Sequence, residues 1–233
     1  MRRVSVIIPT LNEGQVIENL LASLAPLRAQ GHEIIVSDGG SSDDTRALAA
    51  PLCDLLVHGE AGRAVQMNRA AARASGQLLW FVHADTAFAT PVLDLLQAML
   101  QAAGPWGRFD VRLDGEQAAF RLIERMMNLR SRLSGIATGD QGMFVERALF
   151  RQVGGFAELP LMEDIELSRR LRRLHRPACL GQGVLASARR WQRHGVLRTI
   201  LLMWRLRLAY FLGVSPQRLA ERYRQCSSPT RES

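Results

Sequence analysis

Asp85 closes the run Leu78-Leu79-Trp80-Phe81-Val82-His83-Ala84, whose apolar start reads as a central buried strand. A carboxylate there is penalised by burial unless a cation, a helix N-terminus or hydrogen-bond donors keep it ionised. Hard oxygen ligands in a cleft suit Mg2+ or Mn2+, with substrate phosphates completing the shell, so Asp85 is a candidate metal ligand. Capping of the helix after Thr86 or Thr90 is the alternative. Asp38 holds the equivalent place after Glu33-Ile34-Ile35-Val36-Ser37, beside a Gly39-Gly40 turn that lets a ligand approach the backbone. Its carboxylate can accept from a base N–H or a ribose hydroxyl, or simply close an Asx-turn. Asp43 and Asp44 read as helix-start charges. Glu163 and Asp164 open another helix, and two adjacent acids push one pKa upward, toward a value useful in a general base; an acidic first turn is the plain alternative.

The elements that must position these groups alternate between two periodicities. Val4–Pro9 reads as a strand, followed by a helical pattern through Val16, Ile17, Leu20, Leu21 and Leu24 that Pro26 closes. Strands follow at Glu33–Asp38, Leu55–Val57 and Leu78–Val82, with helices at Thr45–Leu52, Gly62–Ala74 and Pro91–Ala103. This βαβ rhythm predicts an α/β fold with a doubly wound, mostly parallel sheet and helices on both faces. Ligands bind such sheets beyond the carboxyl ends of the strands, where Thr10-Leu11-Asn12-Glu13, Asp38-Gly39-Gly40-Ser41 and His83-Ala84-Asp85 all fall. The rhythm then breaks: a strand at Phe109–Leu113, a helix over 116–133 with Phe120, Ile123 and Met127 on one stripe, a loop over 134–142, a strand at Met143–Val145 and a helix from Leu161 to Leu174. No linker divides the chain. Residues 1–191 form a single domain, 1–104 the first half and 105–191 the second, and 192–233 form a basic helical tail.

Composition narrows the partners. At 47% apolar and 22% charged, 233 residues bury a full core, which excludes a disordered chain. No Lys occurs, so all thirty cationic residues are Arg. Residues 1–107 hold 7 Arg against 10 acidic residues, and residues 108–233 hold 23 Arg against 12, so the second half faces something anionic or presents a solvated basic surface. The three cysteines, Cys53, Cys179 and Cys226, form no CxxC pair, which fits a reducing compartment, and the N-terminus does not read as a signal peptide. We therefore expect a cytoplasmic protein. Val196–Leu212 is apolar but interrupted by Arg198, Arg205 and Arg207, so it does not read as a transmembrane helix. Packing onto the sheet domain and lying at an anionic membrane surface are its two readings, and for Trp204 packing is favoured.

The order of motifs resembles family-2 glycosyltransferases: Val4-Ser5-Val6-Ile7-Ile8-Pro9-Thr10-Leu11-Asn12-Glu13, then Val36-Ser37-Asp38-Gly39-Gly40-Ser41-Ser42-Asp43-Asp44-Thr45, then Phe81-Val82-His83-Ala84-Asp85-Thr86, then Glu163-Asp164. The resemblance runs from Val4 to about Trp191 and implies the GT-A fold and a nucleotide-sugar donor, usually UDP-linked. It further implies that Pro9, Thr10, Asn12, Glu13, Gly40, His83 and Ala84 line the nucleotide-sugar site and that Asp38 holds the base. Asp85 matches the last Asp of the Asp-x-Asp metal motif, and Asp164, beside Glu163, the general base. Gly62-Arg63-Ala64-Val65-Gln66-Met67-Asn68-Arg69 resembles a third nucleotide-contacting stretch, with Asn68 within it and Arg63 at a helix N-terminus that favours a diphosphate. Gly139, Asp140 and Gln141 are expected on the acceptor side, with a plain turn as the alternative for Asp140-Gln141, and Arg190-Trp191 matches the end of a Gln-x-x-Arg-Trp motif. The sequence departs from the pattern at His83, where the first Asp of Asp-x-Asp is usual, at Gly39, where a second Asp often follows, and at Ser187, which replaces the Gln of Gln-x-x-Arg-Trp. That last motif typifies processive synthases, so its loss points to transfer of one sugar.

The expected reaction is an inverting, metal-assisted transfer to an unidentified acceptor, with a lipid-linked one in view because of the basic tail. A nucleotidyltransferase would want a glycine- and cation-rich loop after the first strand, which Thr10-Leu11-Asn12-Glu13 is not. A nucleic-acid-binding protein would want aromatic platforms among its cations, and 6% aromatic content argues against it. A catalytically silent nucleotide-sugar binder is the remaining alternative.

Overall fold

The computed structural model describes residues 2–115, 117–186 and 195–227. Eight strands form one sheet: β1 (Val4–Thr10), β2 (Glu33–Asp38), β3 (Leu55–His58), β4 (Leu78–Phe81), β5 (Ala87–Phe88), β6 (Trp106–Leu113), β7 (Phe144–Glu146) and β8 (Ala178–Ala186). Their order is β3-β2-β1-β4-β7-β6-β8-β5. The β3-β2-β1-β4 half is wholly parallel, with Thr10 paired to Asp38 at its carboxyl edge. β7 then runs antiparallel to both β4 and β6, while β6 and β8 are parallel. The sheet is thus doubly wound in its first half and mixed in its second.

Strands in the first half are β-branched and buried on both faces, so helices cover both sides. Val4, Val6, Ile8, Ile34 and Val36 pack on one face under α1 (Ile17–Ala29) and α4 (Val92–Leu100). Ile7, Ile35, Leu79 and Phe81 pack on the other under α3 (Arg63–Arg73). α6 (Arg147–Gln152) and α7 (Glu163–Leu174) join that second layer through Leu149, Phe150, Leu167 and Leu171. α2 (Thr45–Ala49) follows the loop after β2. Pro26 does not close α1 as expected: the helix continues to Ala29, because fully buried Leu24 and Leu27 hold its last turn against the sheet. That burial outweighs the one backbone hydrogen bond a proline forgoes.

α5 (Ala118–Ser134) lies along β6. Buried Arg108 on β6 binds it by donating to Ser131 Oγ at 3.1 Å and to the Asn128 carbonyl at 3.1 Å, while pairing with Asp110. The C-terminal helices α8 (Val196–Phe211) and α9 (Pro216–Ser227) dock where Leu206 and Leu219 meet Ile136, Met162 and Ile165. Among the described residues no helix is long and apolar enough to cross a membrane.

Candidate functional site

The loops after β1 and β2 are bound to each other by side-chain hydrogen bonds. Asn12 has φ 56° and accepts at Oδ1 from the Ser42 N–H at 2.9 Å, while its own N–H donates to Ser41 Oγ at 2.9 Å. The Glu13 N–H donates to Thr45 Oγ1 at 2.8 Å, and the Gly14 N–H to Asp43 Oδ2 at 3.1 Å. Asp43 also accepts from the Thr45 hydroxyl and, at 3.1 Å, from the Thr45 N–H, the helix-start role expected of it; the hydroxyl first, and then the Gly14 and Thr45 N–H groups, hold its carboxyl below the ordinary range.

Asp38 is the centre of this lacing. Its side chain is fully buried; Oδ1 accepts from the Gly40 and Ser41 N–H groups at 3.0 Å each, His58 Nδ1 stands 3.2 Å away, and Ser41 Oγ donates to Oδ2. Burial pushes its pKa up, but the donors from Ser41, Gly40 and His58 outweigh burial and leave it below the usual carboxylate value. Two of the expected site residues turn inward. The Asp38 carboxylate, expected to hold a base, is turned into its own loop in this structure, where the Gly40, Ser41 and His58 groups surround it. Asn12 uses its side chain to fix the loop. Pro9 and Glu13 are half-buried beside it, Thr10 is buried, and Gly40 takes φ 94°.

Gln66 on α3 ties this edge together, donating from Nε2 to the carbonyls of Thr10 at 2.7 Å and Ser37 at 2.8 Å. A Cβ at position 39 would lie 3.0 Å from the Gln66 amide and 3.1 Å from Ala61 Cα. The glycine that stands where a second acid often follows Asp38 thus fits a close approach that a side chain would crowd. Asn68 turns inward as well: its side chain exchanges hydrogen bonds with the Phe156 backbone, at 2.8 and 2.9 Å, and clamps the Gly154-Gly155-Phe156 loop rather than facing a ligand.

Because β7 runs antiparallel beside β4, the short 3-10 turn at Gly139–Gln141 preceding it lands on the carboxyl end of β4. A Cβ at Gly139 would come within 2.6 Å of His83 Nε2, so the imidazole rests directly on this glycine. The Gly139 N–H donates to Asp164 Oδ2 at 2.8 Å, and the Ile165 N–H to Oδ1 at 2.7 Å. Met162, at φ 70°, sets the angle at which α7 starts. One cleft is lined by Arg63, Met67, His83, Gly139, Phe156, Glu163 and Asp164.

Burial first, and the charge of Glu163 second, push Asp164 up to about 6 against the pull of two N–H donors and Arg63. Burial and then the Arg63 charge push His83 down to about 3, so its imidazole is neutral at pH 7. Glu163 is buried with its carboxylate 3.3 Å from Arg63 Nη1, while Arg63 itself is exposed. Glu163, expected beside Asp164 as a catalytic residue, pairs with Arg63 here, and its charge raises Asp164.

Asp85 is exposed rather than buried, because β4 ends at Phe81 and the chain turns back through the Thr86 N–H to the His83 carbonyl at 3.1 Å; Ala84 is buried in that turn. Among the described residues the Asp85 carboxylate has no hydrogen-bond or ion partner, and no three His, Cys, Asp or Glu side chains gather as a metal cage. This donor set fits a hard cation whose remaining ligands are diphosphate oxygens and water, and not a cation held by protein alone.

The loop expected to face an acceptor lies near a group that the sequence pattern did not single out. Arg130 occupies the next position of the Phe120, Ile123, Met127 stripe, and an arginine in an apolar stripe is the signal that marks it. Its Nε and Nη2 are buried without partners among the described residues, as is Asp140 Oδ1. Burial lowers the Arg130 pKa while Asp140 and Asp164 raise it, and burial pushes Asp140 upward. Gln141, expected to face the acceptor, is fully buried and instead braces the loop, its Oε1 accepting from the Thr138 N–H at 3.1 Å. Arg190, Trp191 and Ser187 lie outside the described residues.

The family model described as glycosyl transferase family 2 matches residues 5–153. An uncharacterized glycosyltransferase of Mycobacterium tuberculosis, Rv1514c, is 32% identical over 165 residues, which is 66% of this chain and 62% of that protein. The chain therefore spans less than two thirds of that relative's length. Among solved structures, glucosyl-3-phosphoglycerate synthase from Mycobacterium tuberculosis, in complex with Mn2+, UDP and glucosyl-3-phosphoglycerate, matches with TM-score 0.59 at 24% identity, covering 79% of this chain and 71% of that one. The mannosyltransferase PcManGT from Pyrobaculum calidifontis, in complex with GDP-Man and Mn2+, matches with TM-score 0.65 at 20% identity, covering 89% and 61%.

Proposed function

The chain belongs to glycosyltransferase family 2 and has the GT-A fold, and on that premise we propose that it moves a single sugar from a UDP-linked donor to an acceptor hydroxyl with inversion. The observation that carries this reading is the meeting of Asp164, Arg63 and neutral His83 in one cleft at the carboxyl edge of the sheet. Asp164 is the base. With its pKa raised to about 6 it is ionised at pH 7, yet basic enough to take a proton from a hydroxyl as that oxygen attacks. Its two N–H donors fix the carboxylate plane, so the proton is received at a defined atom.

In the transfer, the acceptor O–H proton passes to Asp164 and the acceptor oxygen bonds to the anomeric carbon. The bond from that carbon to the diphosphate oxygen breaks, and its electron pair leaves with the nucleoside diphosphate. Arg63, held by Glu163 at the N-terminus of α3, stabilises the charge that develops there. Asp85 would hold a divalent cation, Mg2+ or Mn2+, which when bound neutralises diphosphate charge. The laced loops of Thr10–Gly14 and Asp38–Thr45 form the nucleotide platform through their backbone and exposed rim rather than through the Asp38 carboxylate.

A thermal-shift series with UDP, GDP and their sugars, with Mn2+ or with EDTA, tests the donor side. A ligand bound only by the folded state raises the melting temperature with ln(1 + [L]/Kd). We expect UDP and a UDP-sugar to do so with Mn2+ and to lose the effect in EDTA or in Asp85→Asn. A shift unchanged in EDTA removes the metal assignment, and no shift with any nucleotide removes the donor assignment.

A further inference from the structure

We infer that the outer faces of α5 and α8 together form a docking surface for an anionic phospholipid bilayer. On α5, Leu122, Met126, Leu129 and Leu133 are all exposed, at 61, 43, 57 and 77%. Their spacing places them within an arc of about 60° on an ideal helix, a single stripe on the side away from β6. Arg121, Arg125 and Arg132, also exposed, form a second stripe directly beside it. On α8, Leu201, Trp204, Leu208, Phe211 and Leu212 are exposed along one side with Arg205 among them, while Leu206 and Thr199 are buried on the opposite side. The helix therefore packs onto the domain through one face and leaves an apolar face with arginine exposed on the other. Trp204, for which packing was favoured, is 60% exposed.

The two helices are neighbours, since Ile200 of α8 packs with Met127 against Phe120 and Ile123 of α5. Nine large apolar side chains on two adjacent helices exceed the scattered apolar exposure ordinary for a protein surface. Charge identifies the occupant. The exposed faces of both helices carry arginines and no acidic residue; Glu124, the one acid of α5, is buried. Arg121 and Arg132 already bind Glu124 and Asp110 while staying exposed, whereas Arg125 and Arg205 hold no partner among the described residues. Two copies of the chain meeting through this face would set arginine against arginine, so an isologous dimer is disfavoured. Apolar side chains with a flanking row of guanidinium groups instead match acyl chains beneath anionic headgroups.

The surface does not depend on the sugar-transfer reading, but its consequence does. Arg130, close enough to Asp140 and Asp164 to shift with their charges, sits on the same helix α5, so a bilayer at the outer face brings a lipid-linked hydroxyl toward the base.

Sedimentation of the full chain with vesicles tests the surface without any donor or turnover. The chain should pellet with phosphatidylcholine vesicles containing phosphatidylglycerol, remain soluble with phosphatidylcholine alone, and release as salt is raised. The Trp204 emission should shift to the blue on binding. Leu129→Gln with Leu208→Gln, both at exposed positions, should lower the bound fraction about tenfold or more while leaving the melting temperature unchanged. A wild-type chain that stays in the supernatant with both vesicles, with no change in emission, overturns the inference. A chain that self-associates and becomes monomeric in the double variant, without binding vesicles, shows the face to be a protein interface and overturns it equally.

Discussion

Asp38 ends β2 and Asp164 lies beside the Gly139 turn near the end of β4; their side chains are both withdrawn from solvent, and they shift in opposite directions. Asp38 lies below the ordinary carboxylate range and Asp164 rises to about 6. The difference lies in the donors each receives and the charge beside it. Around Asp38, two backbone N–H groups, a hydroxyl and an imidazole converge, and its loop is stitched to the loop of Asn12. Around Asp164 two N–H groups and the Arg63 charge stand against burial and the Glu163 charge and do not outweigh them, and nearby Asp140 and Arg130 keep polar atoms unpartnered among the described residues. Hydrogen-bonded donors build a rigid platform, while under-satisfied groups hold chemical potential for a proton or a ligand. The loops after β1 and β2 are thus closed by their own hydrogen bonds, whereas the surroundings of Asp164 keep polar groups open to a further partner among the described residues.

Removing the reacting carboxylate breaks the comparison at its most sensitive point. Asp164→Asn should lower turnover by about a hundredfold or more while scarcely changing nucleotide affinity, the mark of a group used only in the transition state. In the wild type, kcat/KM should fall tenfold for each pH unit below about 6 as Asp164 takes up its proton, and stay level above it. Initial rates across pH, with nucleotide binding measured in parallel, check both. Equal losses in rate and binding would place Asp164 on the donor side instead.

The same kind of substitution on the platform should act on stability. Asp38→Ala leaves the Gly40 and Ser41 N–H groups and the Ser41 hydroxyl without their acceptor. Hydrogen bonds to a charged group contribute roughly 1.5–3 kcal/mol each, and part is recovered by water once the loop opens, so a loss of about 2–4 kcal/mol is expected. Because the Asp38 carboxylate is stabilised by folding, its contribution is present above the unfolded carboxylate pKa and fades as pH falls through the lower folded value. Denaturant titrations at neutral and acid pH should show the gap between variant and wild type narrowing in acid. A variant that keeps wild-type stability but loses UDP would return Asp38 to the base-contact role.

Much of the donor half was legible because β-branched runs, glycine turns and acid placements repeat one rhythm from Val4 to Val82. The four strands of the parallel half and the polar clusters at their carboxyl ends followed directly. What the pattern hid was which polar side chains face inward. Asp38, Asn12, Asn68 and Gln141 are residue types that bind ligands or bind loops equally well, and only the partners at 2.8–3.1 Å decide. β8 went unseen because Gly181 and Gly183 interrupt it, and Gly183 is needed where Arg112 lies 3.1 Å from its absent side chain, beside a register shift in the β6–β8 pairing. The mixed second half of the sheet also leaves no helix–strand rhythm to read. Arg130 was visible as a cation on an apolar stripe, but its role depends on Asp140 and Asp164 arriving from distant loops.

The smallest expected effect sharpens the contrast by reversing the sign. Asp140 keeps one buried oxygen without a partner among the described residues, and burial, aided by the Asp164 charge, raises its pKa against the pull of Thr138 and Arg130. A carboxyl raised by folding is a liability when ionised: the fold binds its proton more tightly than the unfolded chain does. The cost is therefore absent in acid, grows as pH rises through the unfolded carboxylate pKa, and is complete above the folded one. Asp140→Asn keeps the shape, removes the charge and retains an acceptor for Thr138. It should leave stability unchanged at acid pH and raise it by roughly 1 kcal/mol at pH 8, comparable to relief of one unsatisfied buried group. The amide should also lower the apparent pKa of Asp164 in the rate profile, because a like charge beside it has gone. Melting curves at the two pH values, together with the acid limb of kcat/KM, separate this from a merely structural change. Loss of stability at both pH values would mean that Asp140 is satisfied after all, and that the surroundings of Asp164 are as closed as the loops after β1 and β2.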